Sequence, residues 1–183
     1  MQANTQPRTT VDHLVYLPSF ARYLLDNKLR EFVEMQFQIS KEIDLPILRQ
    51  LSSLPKDELF EISRKSSEEL LTHLAGNEAE KLILLSLERY KKNQLQFIDS
   101  VELAAEDITL TLYLRKKSFL YFLPDYTSET ETIVEIIKEL DDYLVSFEIR
   151  ASKLYLHLLK QRIDEHVHFI EKITNTSPGL IFV

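Results

Sequence analysis

The five histidines are the residues of this chain best suited to metal binding or proton transfer, because imidazole titrates near neutral pH. His166 and His168 stand two residues apart, and side chains at that spacing do not share one face of a helix. A His-Glu-x-x-His motif is absent, so a zinc-protease site lacks its ligands. The chain also contains no cysteine, which excludes thiol catalysis and thiolate metal sites.

Residues 157–160 read HLLK, which resembles part of the His-x-x-Lys core of histidine phosphotransfer domains. That family carries a small residue after the lysine, so that a neighbouring helix can approach, whereas Gln161 stands here. Phosphotransfer through His157 is therefore kept only as a lesser alternative. Gly-rich phosphate loops and Ser-His-Asp spacings are absent too, and we expect no catalytic activity within this chain.

Composition indicates what kind of fold must position these residues. With 44% hydrophobic and 28% charged residues, the 183-residue chain is an ordinary globular sequence. Two glycines leave few tight turns, which favours an all-α bundle of long helices. A net charge of -7 disfavours nucleic-acid binding, and no apolar stretch is long enough to span a membrane. The first residues lack the apolar core of a signal peptide, so a cytoplasmic location is predicted.

Three local patterns give testable element boundaries. Apolar spacing predicts one helix from Ser19 to Ile43. Asn77, with Glu80 three residues later, suggests a capping box. The segment 101–123 alternates locally like a strand but also fits a helical face, and we expect a helix that ends before Pro124.

The last helix is predicted to be unusually long, because neither Pro nor Gly occurs from residue 128 to 173, about 69 Å at 1.5 Å per residue. Two apolar stripes follow it in steps of four and three. The first consists of Ile133, Ile137, Leu140, Leu144, Phe147, Ala151, Leu154 and Leu158. The second consists of Val145, Ile149, Ser152, Leu156, Leu159, Ile163, His166, Ile170 and Ile173. An offset of two residues, about 200°, places the stripes on opposite faces of the helix.

We expect the first stripe to pack into the chain's own bundle and the second to form a coiled-coil seam in a homodimer. A single long helix bent around a larger monomeric core is the alternative. His166 lies on the seam, where a polar residue more often fixes the register than binds a ligand. A pH-sensing role for His166 is the other interpretation.

Aromatic side chains gather between residues 118 and 126. Phe119, Phe122 and Tyr126 fit a helical face, which is typical of core residues. The same three rings are also the candidate lining of an apolar pocket for a small-molecule ligand.

The ending ITNTSPGLIFV resembles the junction at which a signalling helix enters a PAS domain in bacterial sensory proteins. In that family the helix stops at an Asn/Ser-Pro step, and the first strand of the PAS sheet follows. The residue patterns described above predict a disordered lead over 1–18, a helical bundle over 19–160 and a stalk over 145–174 that overlaps the bundle, and the resemblance implies that this bundle is a sensor domain. The resemblance further implies that 175–183 begin a truncated next domain, with Leu180 to Val183 as its first strand.

The upstream part resembles, by pattern alone, the globin-like sensor domains that precede such output modules. Haem-binding members carry a proximal histidine in the penultimate core helix, whereas Val101 to Leu123 contain none. The resemblance therefore implies the non-haem branch, and no cofactor or metal is expected. A plain helical bundle is an equal alternative.

Taken together, the sequence predicts an all-α input domain of a signal-transduction protein, of the PAS-containing sensor histidine kinase type. The expected partners are a second copy of the chain and a downstream PAS or kinase module. A protein–protein adaptor or assembly domain, using the same helices as a docking surface, is the alternative from another class.

Overall fold

The computed structural model describes residues 11, 13–46, 48, 51, 53–93 and 105–176, and every regular element in this part of the chain is a helix. The helices are α1 (Leu17–Asn27), α2 (Leu29–Glu42), α3 (Lys56–Ala75), α4 (Ala79–Lys91), α5 (Ala105–Tyr126) and α6 (Thr130–Thr176). The predictions of an all-α bundle and of a very long last helix are confirmed. The predicted strand Leu180 to Val183 lies outside the described residues.

The main core lies where α1, α3, α5 and α6 meet, with α2 packed against α3 and α5 and with α4 packed against α6. Phe20 of α1, Leu71 of α3 and Phe119 of α5 have no exposed surface, and neither has Tyr143 of α6. Each buried aliphatic or aromatic side chain contributes about 1.5–3 kcal/mol relative to its exposed state. Burial of these faces is what holds the helices together.

The prediction of one helix from Ser19 to Ile43 is wrong, because the chain bends at Lys28. This residue has a φ of -136° and separates α1 from α2. The bend places Phe20 and Phe32 on two sides of Phe119, with ring centroids 6.0 and 5.2 Å from it. A straight helix would carry one of these two rings away from the core, so tertiary packing overrides the local helical pattern.

The segment after residue 104 is helical, as expected, but α5 does not end before Pro124 and includes it. A proline inside a helix lacks the N–H that would reach the carbonyl four residues back. Packing of the following turn offsets this loss. The Tyr126 ring lies 5.1 Å from the Phe20 ring, and the Tyr23 hydroxyl donates to the Asp125 carbonyl at 3.4 Å.

Asn77 does not form the predicted capping box with Glu80. It ends α3 instead, with a left-handed φ of 56°. Its backbone N–H donates to the Leu74 carbonyl at 3.0 Å, and that of Glu78 donates to the His73 carbonyl at 2.8 Å. These two bonds define a Schellman ending, in which asparagine takes the position that glycine usually occupies.

The Asn77 side chain also binds the segment before α1. Its amide accepts from the Leu14 N–H at 3.2 Å and donates to the Leu14 carbonyl at 3.1 Å. Val11 and Leu14 are buried in the core, and α1 begins at Leu17. The predicted disordered lead over 1–18 therefore extends too far, because its last part packs against the bundle.

Glu139 of α6 caps α1 from across the bundle. Its carboxylate accepts from three consecutive backbone N–H groups, those of Val15 at 2.7 Å, Tyr16 at 2.9 Å and Leu17 at 2.7 Å. The first N–H groups of a helix have no partner within the helix, and Tyr16 supplies no side-chain cap. A negative charge at this end also complements the helix dipole. One carboxylate thus fastens the start of the bundle to its longest helix.

Replacing Glu139 with Gln should lower the free energy of unfolding by about 1–2 kcal/mol, because one oxygen and the charge that complements α1 are lost. Urea denaturation followed by circular dichroism measures this change. The control is Glu135→Gln, which breaks only a surface pair with Lys138 on the same helix and should cost less than about 0.5 kcal/mol. Equal losses in the two variants would contradict the capping role.

Candidate functional site

The inward face of α6 holds this helix in the bundle. All eight residues of the first predicted stripe are buried or half-buried, from Ile133 to Leu158. Sequence reasoning missed Ile136 and Tyr143, which are fully buried between the stripe's members. Their spacing of seven residues, on the flank of the stripe, is the signal that could have found them.

The outward face of α6 is the candidate functional site. All nine residues of the second stripe are exposed: Val145, Ile149, Ser152, Leu156, Leu159, Ile163, His166, Ile170 and Ile173. The seven apolar members are between 37% and 62% exposed. A row of large aliphatic side chains in water is unfavourable, and such rows mark interaction surfaces.

The end of α6 extends past its neighbours in the described part of the chain. Arg150 forms an ion pair with Glu80 near the start of α4, and the charge of Arg162 acts on Tyr90 near the end of α4. Burial raises the pKa of Tyr90, and Arg162 opposes this shift. Every residue from 163 to 174 is exposed. This final segment of α6 spans about 20 Å at 1.5 Å per residue.

Two further apolar side chains widen the outward face near this end. Val167 is 50% exposed and Phe169 is 62% exposed. They are next to His166 and Ile170 in the sequence but do not fit the steps of four and three residues that define the second stripe. The sequence pattern therefore did not include them. An isolated helix of this length is marginal in water, so a covering partner would stabilise it.

The predicted aromatic pocket residues lie elsewhere, between α1, α2 and α5. Phe119 and Phe122 are buried, and their rings lie 5.2 and 6.1 Å from the Phe32 ring. Tyr126 is half-buried and packs on Phe20 and Tyr23. These contacts agree with the alternative that the three rings are core residues.

The remaining polar candidates of α6 are on its surface. His157, Lys160 and His168 are all exposed. Among the described residues, no group of three potential metal ligands comes together. No helix in this part of the chain is long and apolar enough to cross a membrane.

Comparison of the chain with known protein families, curated proteins and solved structures found no match. The geometry of α6 is therefore the basis for the functional proposals that follow.

Because the outward face of α6 is exposed, truncating an aliphatic side chain there should lower the free energy of unfolding less than the same change on the inward face. At the lowest protein concentration that allows measurement, Ile163→Ala should change the free energy of unfolding by less than about 0.5 kcal/mol. Leu140→Ala, on the inward face, should cost about 2–5 kcal/mol because it leaves a cavity. Chemical denaturation of both variants tests this. A similar cost at Ile163 would mean that this side chain is covered within one chain.

Proposed function

We propose that this chain is the helical input module of a signalling protein, and that it forms a homodimer through the outward face of α6. The observation that carries the proposal is the exposed stripe from Val145 to Ile173 on α6, whose last part, residues 163–174, is exposed on all sides. A second copy of the chain is the occupant that the stripe fits best, for two reasons.

The first reason is the register. Steps of four and three are the spacing of a coiled-coil seam, in which the residues alternate between a and d positions. Ile149, Ile163 and Ile170 then occupy a positions, where β-branched residues favour two-stranded parallel coils. His166 occupies a d position, and a polar residue in the seam helps to align two identical helices.

The second reason is charge. In a parallel pair each g residue faces the e residue five positions later on the other helix. The resulting pairs are Glu148 with Lys153, Tyr155 with Lys160, Arg162 with Val167, and Phe169 with Thr174. One pair is attractive and none joins like charges, so the parallel arrangement places no repulsion at the seam.

Signal passage would then be a shift in the rotation or register of the paired helices. Such a mechanism needs two states with different affinities for the cue. The inward face of α6 touches the bundle, and the outward face touches the partner helix. A change at the bundle is thereby carried along one rigid element toward the PAS or kinase module that the sequence resemblance implies.

A docking function without a ligand is the second candidate, and one observation favours it. Val167 and Phe169 make the apolar face near the end of α6 wider than a two-stranded seam requires. A third helix, from an assembly partner, would cover this excess width. Dimerisation and docking are not exclusive.

Single cysteines test the parallel dimer cleanly, because the chain has none of its own. Ile170→Cys should give an intermolecular disulfide in most of the protein under mild oxidation, since equivalent a residues face each other in a parallel coil. The product is measured by non-reducing electrophoresis. The control is His168→Cys, an f position on the far side of α6, which should remain monomeric on the gel.

Sedimentation equilibrium of the unmodified chain completes this test. Ile163→Asp should weaken association at least about tenfold, because the charge must be buried in the seam. Val134→Asp, an exposed valine of α6 outside the stripe, should leave association unchanged. A chain that stays monomeric at all concentrations, or equal cross-linking at positions 168 and 170, would refute the parallel dimer.

A further inference from the structure

A cavity of about 290 Å³ lies between α3, α4, α5 and α6, away from the aromatic cluster around Phe119. Its volume is at the lower end of the range for small-molecule sites. At the ~30 Å³ that one water molecule occupies in the liquid, it has room for about ten non-hydrogen atoms. The cavity is therefore large enough for a compact organic molecule.

The wall of the cavity is mainly apolar. Its apolar lining residues include Leu70, Leu82, Leu87, Ile108, Leu112 and Phe147. Binding pockets for small molecules combine such walls with a few polar groups that orient the ligand. The polar groups of this cavity differ in charge and in whether they have a hydrogen-bond or ion-pair partner. These differences indicate which kind of ligand fits.

Two arginines line the cavity, and among the described residues only Arg89 is paired with a carboxylate. Arg89 donates to both carboxylate oxygens of Glu69, at 2.7 and 2.8 Å. Bonding to Arg89 lowers the pKa of Glu69, so this pair is ionised at neutral pH. Arg115 of α5 makes no ion pair in the described part of the chain, and its guanidinium lies 5.6 Å from the centre of the Phe147 ring.

The cavity has two further polar groups, Tyr90 and Asp107, at a distance from Arg115. The Tyr90 hydroxyl is buried without a hydrogen-bond partner among the described residues. Asp107 lines the same region, two helical turns before Arg115 on α5 and about 12 Å away along the axis. Because Coulomb energy falls with distance, an anion beside Arg115 is attracted more strongly than Asp107 repels it.

We propose that this cavity binds a compact carboxylate with an apolar body. The carboxylate pairs with the guanidinium of Arg115, whose planar fork matches the two oxygens. The apolar body contacts Leu112 and the leucines of α3 and α4. A hydrogen-bonding group at the far end of the ligand, where present, meets the Tyr90 hydroxyl. Binding does not depend on the dimer proposed above, so the two proposals fail separately.

Three probes with one apolar body and different head groups test the proposal on the full chain: phenylpropanoate, phenylpropanol and phenylpropylamine. Titration calorimetry should show the carboxylate binding at least about tenfold more tightly than the alcohol or the amine. Arg115→Gln should remove this preference while leaving the affinity for the alcohol unchanged. The control is Lys117→Gln, which deletes one positive charge from the exposed side of the same helix and should retain the preference.

Ala151→Leu is a second variant, which narrows the cavity from the α6 side and should weaken binding of all three probes at least about tenfold. It covers the case in which Arg115→Gln fails to fold, as judged by circular dichroism. Absence of carboxylate binding at millimolar concentration would overturn the proposal. Equal affinity for the three head groups, a loss in Lys117→Gln as large as in Arg115→Gln, or unchanged binding in Ala151→Leu would also overturn it.

Discussion

Burial of Ile136, Leu140 and Tyr143 determines how α6 is rotated about its own axis. These side chains have no exposed surface, and their spacing of four and three residues keeps them on one side of the helix. Once that side faces the core, residues offset by about half a turn must face outward. The exposure of Val145 and Ile149 is thus a consequence of the same packing that stabilises the bundle.

The cavity and the outward face share this helix. Phe147 and Ala151 contribute to the cavity wall from α6, while Ile149 lies between them in sequence and points the other way. Burial raises the pKa of Tyr143, and the nearby charge of Arg115 opposes this shift. Arg115 therefore acts on two residues of α6, Tyr143 and Phe147. An anion that pairs with Arg115 would compete with those contacts, which links occupancy of the cavity to the position of α6.

The periodicity of α6 was legible in the sequence because one helix carried two complete stripes with few exceptions. Features that depend on contacts between residues far apart in the chain could not be predicted in this way. The bend at Lys28 and the passage of α5 through Pro124 both result from aromatic packing between segments about 100 residues apart. No local pattern contains that information. The capping box predicted at Asn77 was wrong for another reason. Asparagine is favoured both as the N-cap of a helix and in the left-handed conformation that ends one.

The cavity could not be predicted from the sequence for a similar reason, because residues far apart in the chain form it. Its walls come from four helices. No local sequence pattern reveals that Arg89 has a carboxylate partner whereas Arg115 has none among the described residues. The aromatic residues near 119 drew attention instead because they are adjacent in sequence. Their rings pack against each other and fill the space between α1, α2 and α5.

The exposed last part of α6 also has a mechanical consequence. Glu139 and the buried residues around it anchor the first half of the helix, whereas every residue from 163 to 174 is exposed. A tilt of the anchored half would displace this exposed part, and the displacement would grow with distance from the bundle. For an arm of about 20 Å, a tilt of about 5° displaces the tip by about 2 Å, enough to move a side chain from one packing position toward the next.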